Sequence, residues 1–110
     1  MATLSPRNSP APSAEKPAVV AFRLYVSAAS PISARAIVNV RRFLDTHFPG
    51  AHRLAVLNIA EHVGMARADQ IIASPTLIRL DVVPMRRIIG DMSNDTRLRT
   101  ALGVPPERRP

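Results

Sequence analysis

Two short apolar runs separated by one long helical pattern constrain the fold of this chain more than any other feature. The first run, AVVAFRLYV, spans Ala18 to Val26, and the second, RLAVLNI, spans Arg53 to Ile59. Both are rich in branched aliphatic residues, which is typical of strands buried on both faces. Because a helix separates them, we expect the two strands to lie parallel in a right-handed βαβ unit.

The segment between the two runs carries the start, face and stop signals of an amphipathic helix. Ser30 can cap the free amides of a helix whose first residue is Pro31. Proline and glycine at Pro49 and Gly50 then end the pattern. The apolar stripe recurs at spacings of three and four residues and consists of Ile37, Val40, Leu44 and Phe48. This spacing predicts one long helix packed on the sheet.

The following segment predicts a short helix and then a hairpin. We expect the helix from about Arg67, with its start left open because Gly64 weakens the preceding turn. The segments Thr76–Leu80 and Met85–Ile89 are expected to form antiparallel strands around a turn at residues 81–84.

A final helix is expected after Gly90, which breaks the strand pattern. Asp91 or Ser93 can cap it, and the helix should end near Gly103. The predicted order is therefore βαβαββα, an α/β single domain.

Length and composition limit the chain to one domain with loose ends. A chain of 110 residues can build one modest core. Residues 1–17 contain four of the eleven prolines and no apolar period, so we expect a disordered Pro/Ser/Ala-rich leader. Residues 18–104 form the predicted domain, and residues 105–110 a flexible tail.

The sequence offers no anchor for catalysis, a cofactor or a metal. It contains no cysteine, so thiolate chemistry and disulfides are excluded. His47, His52 and His62 lack metal-ligand spacing and are interpreted as surface residues. No glycine-rich phosphate loop or nucleophile elbow occurs. No apolar run approaches the roughly 20 residues that span a bilayer, and no secretory signal is visible. We therefore expect a non-enzymatic, soluble, cytoplasmic protein.

The net charge of +7 raises the question of a charged partner. Fourteen of the fifteen basic residues are arginines, and they are scattered along the chain without interleaved aromatic residues. The interpretation that this distribution favours most is a solvated, arginine-rich surface. The next is a basic patch that binds an acidic protein partner. A nucleic acid is the least favoured partner.

The predicted order of elements matches the thioredoxin-like fold. In that fold a proline precedes the third strand, usually with a cis peptide bond, and Pro75 stands at this point. A cis X-Pro bond costs only about 0.5–1 kcal/mol, so it is an accessible conformation. The redox cysteine pair of the fold would fall at residues 28–31, where this chain has Ala-Ala-Ser-Pro. The scaffold is thus predicted without its redox chemistry.

Three segments carry a closer resemblance. They are LYVSAASPISARAI at residues 24–37, IIASPTLIRL at residues 71–80 and RRIIGDMSN at residues 86–94. Their order, spacing and content resemble the KaiB family of circadian-clock proteins, which carry LYVAG-x-TP, ATPTL and RRIIGDLSN segments. The resemblance runs without an obvious gap from about Ala21 to Gly103.

This resemblance implies a regulatory partner and a second conformation. KaiB proteins bind KaiC, a hexameric clock ATPase, and compete with a sensor histidine kinase. They exchange a tetrameric ground state of different topology for a monomeric thioredoxin-like state that binds the ring. The implied function is therefore modulation of a KaiC-type ring. A sensor module for stress adaptation, without an oscillator, is the alternative.

The resemblance also points to particular residues. Arg86 and Arg87 could contact an acidic surface on the ring, or one could be solvated and the other paired with Asp91 or Asp69. Arg35 lies on the helix associated in KaiB with a third partner, although it could equally be a surface arginine. Pro75, Gly90 and Asp91 are expected to help determine the fold.

Two departures from the family pattern bear on the balance between the two states. A run of prolines common in the family is replaced here by Val82, Val83 and Pro84, which restores backbone donors. Ala101 stands where the family often has glycine, and alanine is favoured in a helix by about 1 kcal/mol. We hypothesise that this homologue populates the thioredoxin-like state more than most relatives do.

Overall fold

Across residues 19–105, a four-stranded sheet packs with three α-helices. The computed structural model describes residues 19–105, so the predicted leader at residues 1–17 and most of the predicted tail lie outside the described residues. The elements are β1 (Val20–Val26), α1 (Pro31–His47), β2 (His52–Asn58), a 3₁₀ turn (Ile59–Glu61), α2 (Val63–Ala68), β3 (Thr76–Arg79), β4 (Arg86–Ile89) and α3 (Asp95–Leu102). Within this range no helix is both long and apolar enough to cross a membrane.

The sheet has the strand order β2-β1-β3-β4. Strand β1 pairs in parallel with β2, from Val20 opposite His52 to Val26 opposite Asn58. It pairs antiparallel with β3 on its other side, and β3 pairs antiparallel with β4. The predicted βαβ unit and hairpin are therefore confirmed.

Strand β2 differs from its prediction as a buried strand. It lies at an edge of the sheet, and Arg53 and Ala55 are exposed while Leu54 and Val56 are only partly buried. An edge strand has a neighbour on one side alone, so an apolar run there is covered less completely than the same run in the centre. The central strand is β1, which contains Phe22, Leu24 and Tyr25, all nearly or completely buried.

The two faces of the sheet are covered unequally. Helices α1 and α3 pack on one face and enclose the larger cluster of buried residues. The short helix α2 covers the other face, where Ala66 packs with Tyr25 and Ile78. The buried members of the larger cluster are Val20, Phe22, Leu24, Val26, Ala36, Val40, Phe43, Leu44, Leu77, Met92, Leu98 and Leu102.

Helix α1 follows its prediction at both ends. The Ser30 hydroxyl accepts the Ser33 amide at 3.2 Å, and Pro31 occupies the first helical position. After His47 the chain leaves the helix through Phe48, and Gly50 adopts a φ of 68°. A positive φ is readily adopted by glycine, so Gly50 suits the turn into β2.

The expected start of α2 near Arg67 was wrong, because the helix runs from Val63 to Ala68. The Asn58 side chain accepts the Ala60 amide at 2.9 Å and begins the preceding 3₁₀ turn, which then leads into the helix. Gly64 lies in the first turn of α2, where its propensity cost is tolerated.

The cap of α3 also differs from both predicted candidates. Asn94 caps the helix by accepting the Arg97 amide at 3.0 Å, whereas Asp91 accepts the Ser93 amide at 3.1 Å within the preceding turn. Asn94 stands directly before the first helical residue, which is the N-cap position. Asp91 and Ser93 precede that position and therefore do not cap the helix. The helix ends as predicted at Gly103, which has a φ of 73°.

Candidate partner-binding surface

Arg86 and Arg87 lie on the edge strand β4 and point to opposite faces of the sheet. The Arg87 guanidinium donates a hydrogen bond to the Gln70 carbonyl oxygen at 3.2 Å, on the face covered by α2. Arg86 reaches the end of α3, where a Cβ added to Gly103 would lie 2.9 Å from the Arg86 Nε. The Arg86 side chain is flexible and exposed, so it could shift away, and the positive φ of Gly103 is what favours glycine at this position.

Neither arginine has the ion pair considered for it in the sequence. Asp69 pairs with Arg23 at 2.8 Å. Asp91 forms no ion pair within residues 19–105. Both arginines thus present their charge without a carboxylate partner in the described part of the chain. The alternative that one of them pairs with Asp91 or Asp69 is wrong.

Asp69 is the centre of a buried polar cluster that the sequence did not predict. Its carboxylate accepts a hydrogen bond from the Tyr25 hydroxyl at 2.6 Å and one from Arg23 at 2.8 Å. Asp69 is 7% exposed and Tyr25 is completely buried. The contacts join the end of α2 to the central strand. Arg23 and Tyr25 lie two residues apart and therefore on one face of β1. This pair of polar residues in an apolar strand was the sequence signal that could have indicated the cluster.

Tyr25 should ionise unusually late in the folded protein. Burial, followed by the hydrogen bond and charge of Asp69, raises the pKa of Tyr25 from its usual 10.0 to about 12. The chain has one tyrosine and no tryptophan, so ultraviolet absorbance during an alkaline titration reports this residue alone.

The expected midpoint is near pH 12 in the folded state and near pH 10 in urea. Because the folded state holds the proton more tightly, its stability is fully present below pH 10 and falls as the pH rises towards 12. A midpoint near 10 with unchanged circular dichroism would contradict the buried hydrogen bond.

Arg35 is exposed on α1 and lies near the loop after β4. Hydrogen bonds from Ser93 lower the pKa of Asp91 most, and the positive charge of Arg35 makes a smaller contribution. Asn39 also joins α1 to this loop, since its side-chain amide donates to the Asp91 carbonyl oxygen at 2.8 Å. Arg35 is thus near the end of β4, whereas Arg86 is at its beginning.

Pro75 and Gly90 meet at the same end of the hairpin. The Ser74–Pro75 peptide bond is cis, as expected for Pro75, and the Val83–Pro84 bond is cis as well. Gly90 has a φ of 131° and its amide donates to the Pro75 carbonyl oxygen at 3.0 Å. A residue with a side chain rarely adopts this φ, so the position requires glycine.

The three histidines, which were interpreted as surface residues, are partly buried. His47 contacts Asp95 at 3.2 Å, and His52 lies 2.8 Å from the Phe48 carbonyl oxygen. Within residues 19–105 no group of three or more His, Cys, Asp or Glu side chains could hold a metal ion.

Solved structures with the same arrangement are thioredoxin-like. The solution structure of the N-terminal domain of Synechococcus elongatus SasA matches with a TM-score of 0.66 and 17% identity, covering 99% of this chain and 100% of that domain. Mitochondrial thioredoxin 3 from Saccharomyces cerevisiae matches with a TM-score of 0.63 and 15% identity over 80% of each chain. These similarities confirm the predicted fold class.

Sequence comparison identifies the family. The KaiB domain model matches residues 23–104. The circadian clock oscillator protein KaiB of Prochlorococcus marinus is 39% identical over 83 residues, which are 76% of this chain and 71% of the relative. The protein of the same description from Synechococcus elongatus is 35% identical over 83 residues, covering 76% and 81% of the two chains. The chain belongs to the KaiB family.

Proposed function

We propose that this chain is a KaiB-type regulator that binds a KaiC-type ATPase ring and modulates its ATPase or phosphorylation cycle. The observation that carries the proposal is the family match, which includes almost every strand and helix of the described domain. The relatives that it resembles are clock oscillator proteins. As part of the same proposal, we place this role in the cytoplasm.

The conformation of the chain supports ring binding in particular. In the KaiB family, the thioredoxin-like state is the one implied to dock on the ring, and this chain has the corresponding strand order. Arg86 is exposed and Arg87 is partly exposed on the edge strand, and neither has a carboxylate partner within residues 19–105. An acidic surface on the ring would complement them.

The hypothesis that this homologue favours the thioredoxin-like state rests on α3. Ala101 lies inside α3, one residue before its end, and is partly buried. Glycine at the same position would destabilise the helix by about 1 kcal/mol. That is a large share of the free-energy difference between two alternative folds of one sequence. Size-exclusion chromatography of the free protein should therefore show mainly monomer, and a dominant tetramer would contradict the hypothesis.

Capture by a ring tests the function directly. We expect the purified protein to co-elute with a KaiC-type ATPase from the same organism when ATP is present. The double variant Arg86→Glu/Arg87→Glu should lower the apparent affinity about tenfold or more, because two attractive charge contacts become repulsive. Arg41→Glu/Arg53→Glu is the matched control, since it also reverses two exposed charges, one on α1 and one on β2 at the opposite edge of the sheet from β4.

Each outcome of this experiment separates the alternatives. Equal capture of the double variant and the parent chain would remove both arginines from the interface. A parent chain that never co-elutes with the ring would reject ring binding. Capture of a sensor histidine kinase by that same chain would then support the signalling alternative.

A further inference from the structure

Strand β4 leaves part of its backbone open at the edge of the sheet. The Gly90 amide donates to the Pro75 carbonyl oxygen. In the β3–β4 register, this bond shows which residues of β4 direct their backbone groups to β3 and which direct them away. Arg86 and Ile88 consequently direct their backbone groups towards β3. The amides and carbonyls of Arg87 and Ile89 point away from the sheet, where no described strand pairs with them.

A groove lies between this open edge and α3, with a volume of about 510 Å³. We call it the β4–α3 groove. Apolar surface comes from Ile88, Ile89 and Ala101, and positive charge comes from Arg87 and Arg97. No carboxylate lines the groove among residues 19–105. The groove therefore offers backbone hydrogen bonds, apolar contacts and cations together.

The charges decide which kind of segment can add to this edge. Within the described range Arg86, Arg87 and Arg97 have no ion-pair partner. A second copy of the chain would bring the same arginines to the same edge, and their repulsion disfavours pairing between copies. A segment with acidic side chains would instead be attracted.

We propose that the β4–α3 groove binds an extended acidic and apolar segment of a partner protein as a fifth strand beside β4. This mode of recognition uses main-chain hydrogen bonds for affinity and alternate side chains for specificity. The inference rests on the proposed function in one respect, since the segment would then belong to the ATPase ring.

The two faces of the edge determine how the segment should be patterned. Ile88 and Arg97 flank the groove on the α3 face, while Ile89 and Arg87 lie on the face covered by α2. Each face thus offers one isoleucine and one arginine. Since successive side chains of a strand point to opposite faces, a peptide EEVVEEVV places glutamate and valine alternately on both.

This peptide, acetylated and amidated, is the probe for the first experiment. Titration followed by amide NMR should shift the signals of β4 and α3, and hydrogen exchange at the Arg87 and Ile89 amides should slow. Slower exchange at these two amides distinguishes strand addition from a charge contact alone. KKVVKKVV should not bind, and neither should EEVVEEVV with N-methylated valines, which lacks half of the strand donors.

Two variants locate the site. Arg97→Glu should weaken binding about tenfold, and Arg97→Gln should weaken it less, because the first reverses a charge and the second only removes it. Arg53→Glu makes the same charge change on β2, the other edge of the sheet, and should leave the affinity unchanged. Circadian or ring activity is not needed for either measurement, and circular dichroism confirms that each variant folds.

Several results would overturn the inference. They are equal binding of the lysine peptide, equal binding of the N-methylated peptide, or a loss of binding caused by Arg53→Glu in place of Arg97→Glu. Absence of peptide binding together with normal ring capture would reject the added strand and leave the proposed function standing. Peptide binding without ring capture would support the added strand and reject the proposed function.

Discussion

Replacing Asp69 by alanine should lower the free energy of unfolding by about 3 kcal/mol. The substitution leaves the completely buried Tyr25 hydroxyl without its acceptor and the Arg23 guanidinium without its counter-ion. An unsatisfied buried hydroxyl alone costs about 1–3 kcal/mol. The Arg23 side chain is 32% exposed, so water can partly solvate it after its counter-ion is removed. Loss of the ion pair therefore adds less than it would for a fully buried arginine.

Urea unfolding followed by circular dichroism measures this change. Asp45→Ala is the matched control, because its carboxylate is 76% exposed and lies 3.6 Å from His52; its effect should stay within about 0.5 kcal/mol. Asp69→Asn should fall between the two, since its amide oxygen can still accept the Tyr25 hydroxyl. A loss below about 1 kcal/mol in Asp69→Ala would mean that the cluster contributes little.

The second large effect is expected from Leu98→Ala, again at about 3 kcal/mol. Leu98 is 1% exposed and belongs to the main core cluster. Its truncation removes apolar burial and leaves a cavity under α3, and both terms destabilise the folded state. Because α3 forms one wall of the β4–α3 groove, the variant should also bind the EEVVEEVV peptide more weakly.

Thr100→Ala provides the control for Leu98→Ala. Thr100 is exposed on the same helix, and alanine has the higher helix propensity, so stability should change by less than about 0.5 kcal/mol or rise slightly. Chemical denaturation of the two variants in parallel compares them at one helix. If Leu98→Ala costs no more than Thr100→Ala, α3 does not pack as described.

Much of the fold could be predicted because its periodicities are simple. The apolar stripe of α1 predicted the helix, and Ser30 with Pro31 predicted its start, as Pro49 with Gly50 predicted its end. The two apolar runs predicted parallel strands, but apolar content cannot distinguish an edge strand from a central one. The place of β2 at the edge depends on which strand pairs on the far side of β1, and β3 takes that position.

The partner-binding surface was predicted less completely. Arg86 and Arg87 were identified by family resemblance, whereas Arg97 was not singled out, because it joins the groove only when α3 folds beside β4. The contact of Asp69 with Tyr25 spans 44 positions in the chain. Such a separation leaves no local pattern, and the only sign was a pair of polar groups within an otherwise apolar strand.

The position of β1 has a consequence for synthesis of the chain. This first strand is central, and it pairs with β3, which ends at Arg79. The core above it is completed by Leu98 and Leu102 from the last helix. During translation, β1, α1 and β2 are made before the rest of the domain, because the chain is synthesised from its N-terminal end. Their shared apolar face stays open until residue 102 has left the ribosome, so nascent chains that stall earlier will expose it to chaperones and proteases.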